Sequence, residues 1–526
     1  MPSLLEKGLA ELVEINVSLA TGTSKPLKLA PSVATVITAQ DIEDMGATTL
    51  DEVLETVPGL HVVPSNLNRL NSSYSIRGIL TKENPHVLLL IDGHPVRFTT
   101  KGIRPDTFNM STANIARIEV IRGPGSALYG ADAFAGTINV ITKKASEIKG
   151  AEFGMRVGSF GMTDTWVQHG GNYSGWDIAL SLDYLRSDGD KDRIIDSDLQ
   201  TIIDAALGTN VSLAPGPLET RDKILDTHLS ITKNNWDLRM WYWGQEDGGE
   251  GAGAAQALDP TGDENNKLFL TDLTYRNKEL APDWDMLFRL SYTYVKEDNY
   301  LVVFPAGALL PIGSDGNIDF SSPVGLTLFP DGAIGHPGFT EKTYGIELTA
   351  SYSGFEKHLF RFGTGVEYAT VDPFEKKNFG PGVLDGTQSV QDGTLTDVTG
   401  TEYIFLKDVD RTIFHLLFQD EWTLVKNVVL TAGLRYDHYS DFGDTFNPRL
   451  ALVWETRLDL TTKLLYGRAF RPPSFADSYY QNNPSLLGNP NLDPETINTY
   501  ELVFDYRPHK RFRTALSLFT YDIEGL

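Results

Sequence analysis

Residues 115–144 read IARIEVIRGPGSALYGADAFAGTINVITKK, and the fold turns on this stretch. Ile and Val alternate over residues 118–121 and 137–142, which predicts two short strands. Residues 122–136 between them form a glycine-laced bend, with Gly123-Pro124-Gly125 setting a tight turn and Arg122 at its edge. No lysine follows these glycines as a phosphate-cradling loop requires, and no G-x-G-x-x-G is present, so the bend is not a nucleotide site. It is a compact β-turn-β unit with one arginine at the turn.

Upstream, residues 31–60 read PSVATVITAQDIEDMGATTLDEVLETVPGL. One helix opens at Ala39-Gln40-Asp41, and a second follows Thr48-Thr49 and runs until Pro58-Gly59. Ser75-Ile76-Arg77-Gly78 and the strand-like VLLLIDG of residues 87–93 come next. In this order and spacing, with the RGP turn, the SALYG run and the GTINVITK exit, these segments resemble the plug domain of TonB-dependent outer-membrane receptors. The resemblance implies an N-terminal segment at residues 1–30, an α/β plug at 31–144, and a transmembrane β-barrel at 150–526.

Beyond Gly150 the residues themselves change pattern. Ile178, Leu180, Leu182 and Tyr184 alternate with Asp177, Ala179, Ser181 and Asp183, and residues 286–294, 345–352 and 428–436 repeat this. Side chains alternate across a strand, so each strand has one apolar and one polar face, as in a sandwich or a barrel. The connections decide between them. Short turns near 172–175, 233–236, 277–283, 353–357, 424–427, 456–461 and 507–510 alternate with long polar links. Those links fall near 187–222, 246–266, 297–341, 373–410 and 472–495, with short outer links only at 159–161 and 441–444. Short on one side and long on the other marks an outer-membrane barrel, and globular domains rarely carry so many long loops. The expected fold is membrane all-β: an antiparallel transmembrane barrel of the 22-stranded type with the plug in its lumen. About 15 strands are present, and because an open edge in lipid is costly, the final strands are expected to lie beyond the sequence.

Composition agrees with this reading without deciding it. Seventy Asp and Glu against 45 Lys and Arg give a net charge of −25, which weighs against nucleic acid as a partner. The absence of cysteine excludes a disulfide framework and thiolate metal sites. No apolar run approaches the ~18 residues of a membrane helix, nor would a membrane barrel show one. Residues 2–15 lack the basic start and apolar core of a secretory signal, so the natural start is expected elsewhere. Leu5, Leu9, Leu12 and Val13 have helical spacing. Leu12, Val13, Glu14, Ile15, Asn16 and Val17 then turn β-prone. By resemblance these six are either the TonB box, which adds as a strand to the energy-coupling protein TonB, or an ordinary linker strand.

No H-E-x-x-H, G-x-S-x-G or zinc-ligand spacing occurs, so no enzyme is expected. Arg77 and Arg122 stand beside glycine at plug turns, and buried arginines need carboxylate partners. In the family the matching arginines meet glutamates of the barrel wall, which makes Arg77, Arg122 and Glu501 an expected plug–barrel latch. The outer bends of the plug offer Arg69 and Tyr74 on one side and His94, Arg97, Phe98 and Lys101 on the other. Cationic and aromatic tips suit an anionic, partly aromatic ligand such as a ferric catecholate.

Phe470-Arg471-Pro472-Pro473 and Asn489-Pro490-Asn491-Leu492 resemble the FRAP and NPNL boxes of haem and siderophore receptors. Haem receptors of that type place a histidine between the boxes. Here the interval has none, although Tyr479 and Tyr480 could ligate iron. Asp188, Asp190 and Asp192, with Asp196 and Asp198, either solvate an acidic loop or hold a structural calcium ion, although EF-hand glycine and glutamate positions are unfilled.

The resemblance implies a TonB-dependent active transporter in the cell outer membrane of a Gram-negative bacterium. Its expected partners are TonB, outer-membrane lipid and a ferric siderophore, with iron carried in the substrate and no resident cofactor. Haem and cobalamin are the alternative substrates. The other classes weighed are a passive porin or adhesin barrel, and a soluble carbohydrate-binding β protein.

Overall fold

The computed structural model describes residues 16, 17, 19, 25–65, 70–81, 84–483, 486–509 and 512–526. A mixed sheet forms the centre of the N-terminal domain. Its strand order is Val33–Thr38, Ile115–Arg122, Gly136–Thr142, Val87–Ile91 and His94–Pro95. Val87–Ile91 runs parallel to Gly136–Thr142, and the other pairings are antiparallel. Helices Ala39–Met45 and Leu50–Leu54 cover it, each opened by a capping box, from Thr38 and from Thr49. Their apolar stripe, with Ile42, Val53 and Leu54, packs on Ile118, Val120, Ile138 and Val140.

Two local expectations change. The second helix ends at Leu54, short of Pro58, and the glycine-laced bend contains a one-turn helix at Ser126–Tyr129. Gly125 allows that turn to close: a Cβ there would lie 2.7 Å from Thr137 Oγ1 and 3.0 Å from Ala133 Cβ.

Fifteen long strands then form one antiparallel meander. They are β1 (Gly150–Val157), β2 (Thr163–Tyr173), β3 (Trp176–Ser187), β4 (Asp222–Lys233) and β5 (Trp236–Gly248). Next come β6 (Asp263–Asn277), β7 (Trp284–Phe304), β8 (Ala333–Phe355), β9 (His358–Lys377) and β10 (Val409–Val425). The last are β11 (Val428–Tyr439), β12 (Gly443–Arg457), β13 (Leu460–Arg471), β14 (Glu495–His509) and β15 (Phe512–Glu524). Among the described residues β1 pairs only with β2, and β15 only with β14. Among the described residues no helix is long and apolar enough to cross a membrane.

The alternation seen in sequence becomes two faces. Phe288 and Leu290 of β7 and Tyr344, Ile346 and Leu348 of β8 face outward and are exposed. Asp272, Glu297 and Glu341 face inward and are buried against the plug, and Gln419 is buried on the same face of the wall. This is the inside-out polarity of a lipid-facing wall around a polar, filled lumen.

The long outer links are not structureless. β7 and β8 run on for 21 and 23 residues, well past the apolar belt. Helix Leu199–Leu207 and the hairpin Ala308–Ile312/Gly325–Phe329 share a second core with Ala257, Phe304, Phe379 and Leu384. The outer loops therefore fold as a packed cap above the wall.

Candidate functional site: the plug apex and its latch

Arg77 lies in the turn after Ser72–Ile76 and reaches across to β14, where its Nη2 donates to Glu501 Oε1 at 2.5 Å. The side chains are 7% and 3% exposed, so this expected pair is a buried one. The Ser517 hydroxyl also donates to Glu501, and Phe519 supports the guanidinium at 4.4 Å from its ring centroid. Gly123, at φ +108°, makes room for the pair: a Cβ there would stand 3.4 Å from Arg77 Nη1 and 3.9 Å from Glu501 Oε2.

Arg122 departs from expectation. It donates to the Pro58 carbonyl at 2.5 Å and the Thr35 hydroxyl at 3.2 Å, not to a wall glutamate. Arg77 already occupies Glu501. Burial, and then the charge of Arg77, hold the Arg122 guanidinium below its ordinary range.

At the opposite end, residues 96–107 form the plug apex. Its main chain docks on β8: the Thr99 and Thr100 N–H groups donate to Glu341 at 2.9 and 3.0 Å. Lys101 sits 2.6 Å from Asp106 and 2.8 Å from Glu297. Burial opposes its charge, but these two carboxylates hold its ammonium well above the ordinary range. Arg97 binds Asp132 and lies 3.8 Å from Glu367. His94 Nε2 lies 2.9 Å from Asp272 Oδ2.

The expected ligand residues therefore divide. Phe98 is fully buried and packs edge-on to Phe339. Tyr74 is buried too; its hydroxyl donates to Asp51 at 2.6 Å, Arg104 covers its ring, and burial raises its phenol well above the usual range. His94, Phe98 and Tyr74 are thus structural in this state, and the cations Arg97 and Lys101 are already neutralised. The physical reason is enclosure: charges inside the filled lumen require partners. Arg69 and Leu12–Ile15 lie outside the described residues. Asn16 and Val17 pair with Pro26 and Lys25, and Val17 is buried.

A roof closes over the apex. Helix Phe475–Tyr479 donates its first N–H groups, from Phe475 and Ala476, to the Thr99 and Thr100 carbonyls at 3.3 and 2.8 Å. Phe405 from the 378–408 loop meets Tyr480 edge-on, with ring centroids 5.5 Å apart, and the Gln481 N–H donates to its carbonyl. Tyr479 and Tyr480 thus lie close to the apex. Asp188 and Asp190 do not converge. Asp188 pairs with Arg186, and Asp190 accepts from the Asp192 N–H. Among the described residues no group of three or more histidines and carboxylates is arranged to hold a metal ion.

Sequence reasoning missed two organising residues. Glu341 lay in what read as a loop boundary. Arg411 holds Asp441 at 2.6 Å, donates to the Pro473 carbonyl at 2.9 Å and lies over Phe475 at 4.7 Å. An arginine flanked by Asp410 at a strand start gave no signal of this.

Fold and site together define a class: a membrane β-barrel whose lumen is closed by a separately folded, ion-paired plug. Residues 26–137 match the TonB-dependent receptor plug domain, and residues 219–526 match the TonB-dependent receptor-like β-barrel; the chain belongs to this receptor family. It is 25% identical over 573 residues to a ferric enterobactin receptor of Pseudomonas aeruginosa, covering 99% of this chain and 71% of that protein. It is 40% identical over 136 residues to the vitamin B12 transporter BtuB of Vibrio vulnificus, covering 26% of this chain and 22% of that one. The solved siderophore receptor PirA of Acinetobacter baumannii superposes with a TM-score of 0.67 at 18% identity, covering 94% and 71% of the two chains.

Proposed function

We propose that the protein imports a ferric siderophore across the outer membrane of a Gram-negative bacterium, with TonB supplying the pull that moves the plug. The observation that carries the transport reading is how the plug is held. Its contacts with the wall run through ion pairs such as Arg77–Glu501 and Lys101–Glu297, and through Glu341 to main-chain N–H groups. Polar contacts of this kind can be exchanged for water in a lumen, whereas a passive pore would have no use for a removable stopper. TonB would capture the N-terminal segment by strand addition, which requires Asn16-Val17 to leave Lys25-Pro26.

The substrate reading rests on the apex. Tyr479, Tyr480 and Phe405 lie above Lys101, Arg97 and Arg411, a set that suits an anionic aromatic chelate once the roof lifts. Iron is then cargo, with no resident cofactor. The missing histidine between Arg471 and Asn489 weighs against haem, and the likeness to a B12 transporter keeps cobalamin as the second reading.

The test is tryptophan quenching in detergent with ferric enterobactin, haemin and cyanocobalamin side by side. Trp243 donates to the Asn109 carbonyl at 3.0 Å and therefore reports on the apex. Saturable quenching by the ferric catecholate alone is expected. Quenching by cobalamin or haemin alone would replace the substrate and leave the transporter standing.

A further inference from the structure

Beside the plug apex the inner wall holds a block of acceptors that seating the plug does not use. Glu264 of β6 directly opposes Asn299 of β7, and Asn266 opposes Glu297 one row nearer the membrane. Opposed side chains stand ~5 Å apart and same-face rows ~7 Å apart, so the four form one small block. All four are at least nine-tenths buried. Glu250, from the 249–262 loop and 3% exposed, is the charge that acts most strongly on Glu264.

The neighbouring carboxylates are already satisfied. Lys101 pairs with Asp106 and Glu297, and Asp259 accepts from the Gly262 and Val302 N–H groups at 2.8 and 2.7 Å. Glu264 and Glu250 are not. Glu264 accepts from the Thr107 hydroxyl at 3.5 Å, and Glu250 Oε1 has no donor among the described residues. The two amides add to the deficit. Asn266 donates to Gln245 Oε1 at 2.8 Å, and Asn299 donates to Glu297 Oε1 at 3.1 Å. Gln245 donates in turn to Asp222 at 3.2 Å and to Thr107, which fixes the direction of the chain. The Asn266 and Asn299 Oδ1 atoms are thereby left buried with no donor among the described residues. Unmet buried acceptors of this kind are costly, and two of the groups are carboxylates. The block therefore calls for a positive guest that only donates. No three carboxylates or histidines among the described residues are arranged to hold a metal ion, whereas the three N–H groups of a primary ammonium suit two carboxylates and two amide oxygens.

We propose that this block binds a primary ammonium group, and that the imported chelate carries it. The N–H groups donate to Glu264, Asn299 and Asn266, and Glu250 adds a second negative charge. The block adjoins Lys101 through Glu297, and Tyr480 of the roof acts electrostatically on the same lysine. A chelate seated at Lys101 reaches the block with an arm of ~7 Å, about one lysine side chain. The substrate class is then a ferric chelate with an anionic core and a cationic arm. The source of the ammonium rests on the transport reading above; the ammonium site does not.

The first arm of the test contains no chelate. Methylammonium chloride is titrated into the purified protein in detergent and followed by thermal shift. A saturable rise in the midpoint is expected, which tetramethylammonium chloride, charged but without N–H, and potassium chloride at equal concentration do not give. Glu264→Gln should weaken binding about tenfold, on the scale of one charged hydrogen bond, while Glu246→Gln on the exposed outer face should retain it. Glu264→Gln removes a charge that repels Glu250, and heat-modifiable mobility in gels verifies that the variants fold. Equal responses to the three salts, or undiminished binding by folded Glu264→Gln, overturn the site. The second arm compares, by tryptophan quenching, a ferric tris-catecholate bearing one lysine side chain with its Nε-acetylated twin. The free amine is expected to bind about tenfold more tightly. Equal binding of the two, or binding of neither, overturns the chelate as the source, and the first arm then still decides the site.

Discussion

Replacing Glu501 with Gln should loosen the plug while leaving the barrel assembled. The carboxylate meets Arg77 at 2.5 Å, both groups are nearly inaccessible, and Arg122 stands close enough for the charges of Arg77 and Glu501 to act on it. Removing one member of such a buried pair costs about 3–5 kcal/mol, because the other charge stays buried and uncompensated. Glutamine keeps a carbonyl that still accepts from Arg77, which favours the lower end. At about 3 kcal/mol the undocked population rises roughly a hundredfold. The chain has no cysteine, so a single Cys at Ser32, which is buried under the wall, reports undocking through its rate of maleimide labelling. Ser32→Cys/Glu501→Gln should label about a hundredfold faster than Ser32→Cys alone, on the same scale. Adding Arg77→Gln should recover much of the protection, since neither buried charge of the pair then remains. Added salt should change the ratio little, because the pair is shielded from solvent. Labelling of the Glu501→Gln protein at the parent rate, or a triple variant as labile as the double, would refute the latch.

Three further outcomes are expected. Gly123→Ala forces a Cβ onto a φ of +108° and towards Arg77, which should cost about 1–3 kcal/mol and speed Ser32→Cys labelling without altering barrel melting. Glu341→Ala leaves the Thr99 and Thr100 N–H groups without their acceptor, at about 1–3 kcal/mol each; calorimetry should show a lower plug transition, and an unchanged trace would show that docking lies elsewhere. Glu250, in the 249–262 loop, is raised from 4.5 to about 8 by burial and then by Asp259. The folded loop therefore favours the protonated acid. Its contribution to stability is complete below about pH 4.5 and fades as pH rises through about 8. Thermal midpoints should fall over that window, and Glu250→Gln should flatten the slope.

The plug and the barrel were legible because each has a local signature: two threonine-capped helices and alternating β runs in one, and strict two-residue alternation with short and long connections in the other. About fifteen strands were read, and fifteen form the meander. What escaped was long-range. Residues 297–304 and 333–341 read as loop because, above the membrane, their outward faces hold Asp298, Tyr300 and His336 instead of lipid-facing apolar residues. The loop cap escaped for the same reason: Ile203, Leu310, Phe329 and Phe379 come from three separate links and meet only in space. At the site, Arg77 with Glu501 was legible from a matched motif. The pairing of Lys101 with Glu297 and of Arg97 with Asp132 was not, since one carboxylate comes from the wall and the other from a distant part of the plug; only Asp106 is local to Lys101.

Beside the ion pairs, the wall also grips the plug by its main chain. Glu341 accepts from two peptide N–H groups, Lys463 donates to the Ala30 and Ser32 carbonyls at 2.7 and 3.1 Å, and Arg449 donates to that of Pro31 at 2.5 Å. Such contacts do not read side chains. The contacts themselves therefore survive side-chain changes at these positions, while Lys101 remains tied to the wall by its pair with Glu297.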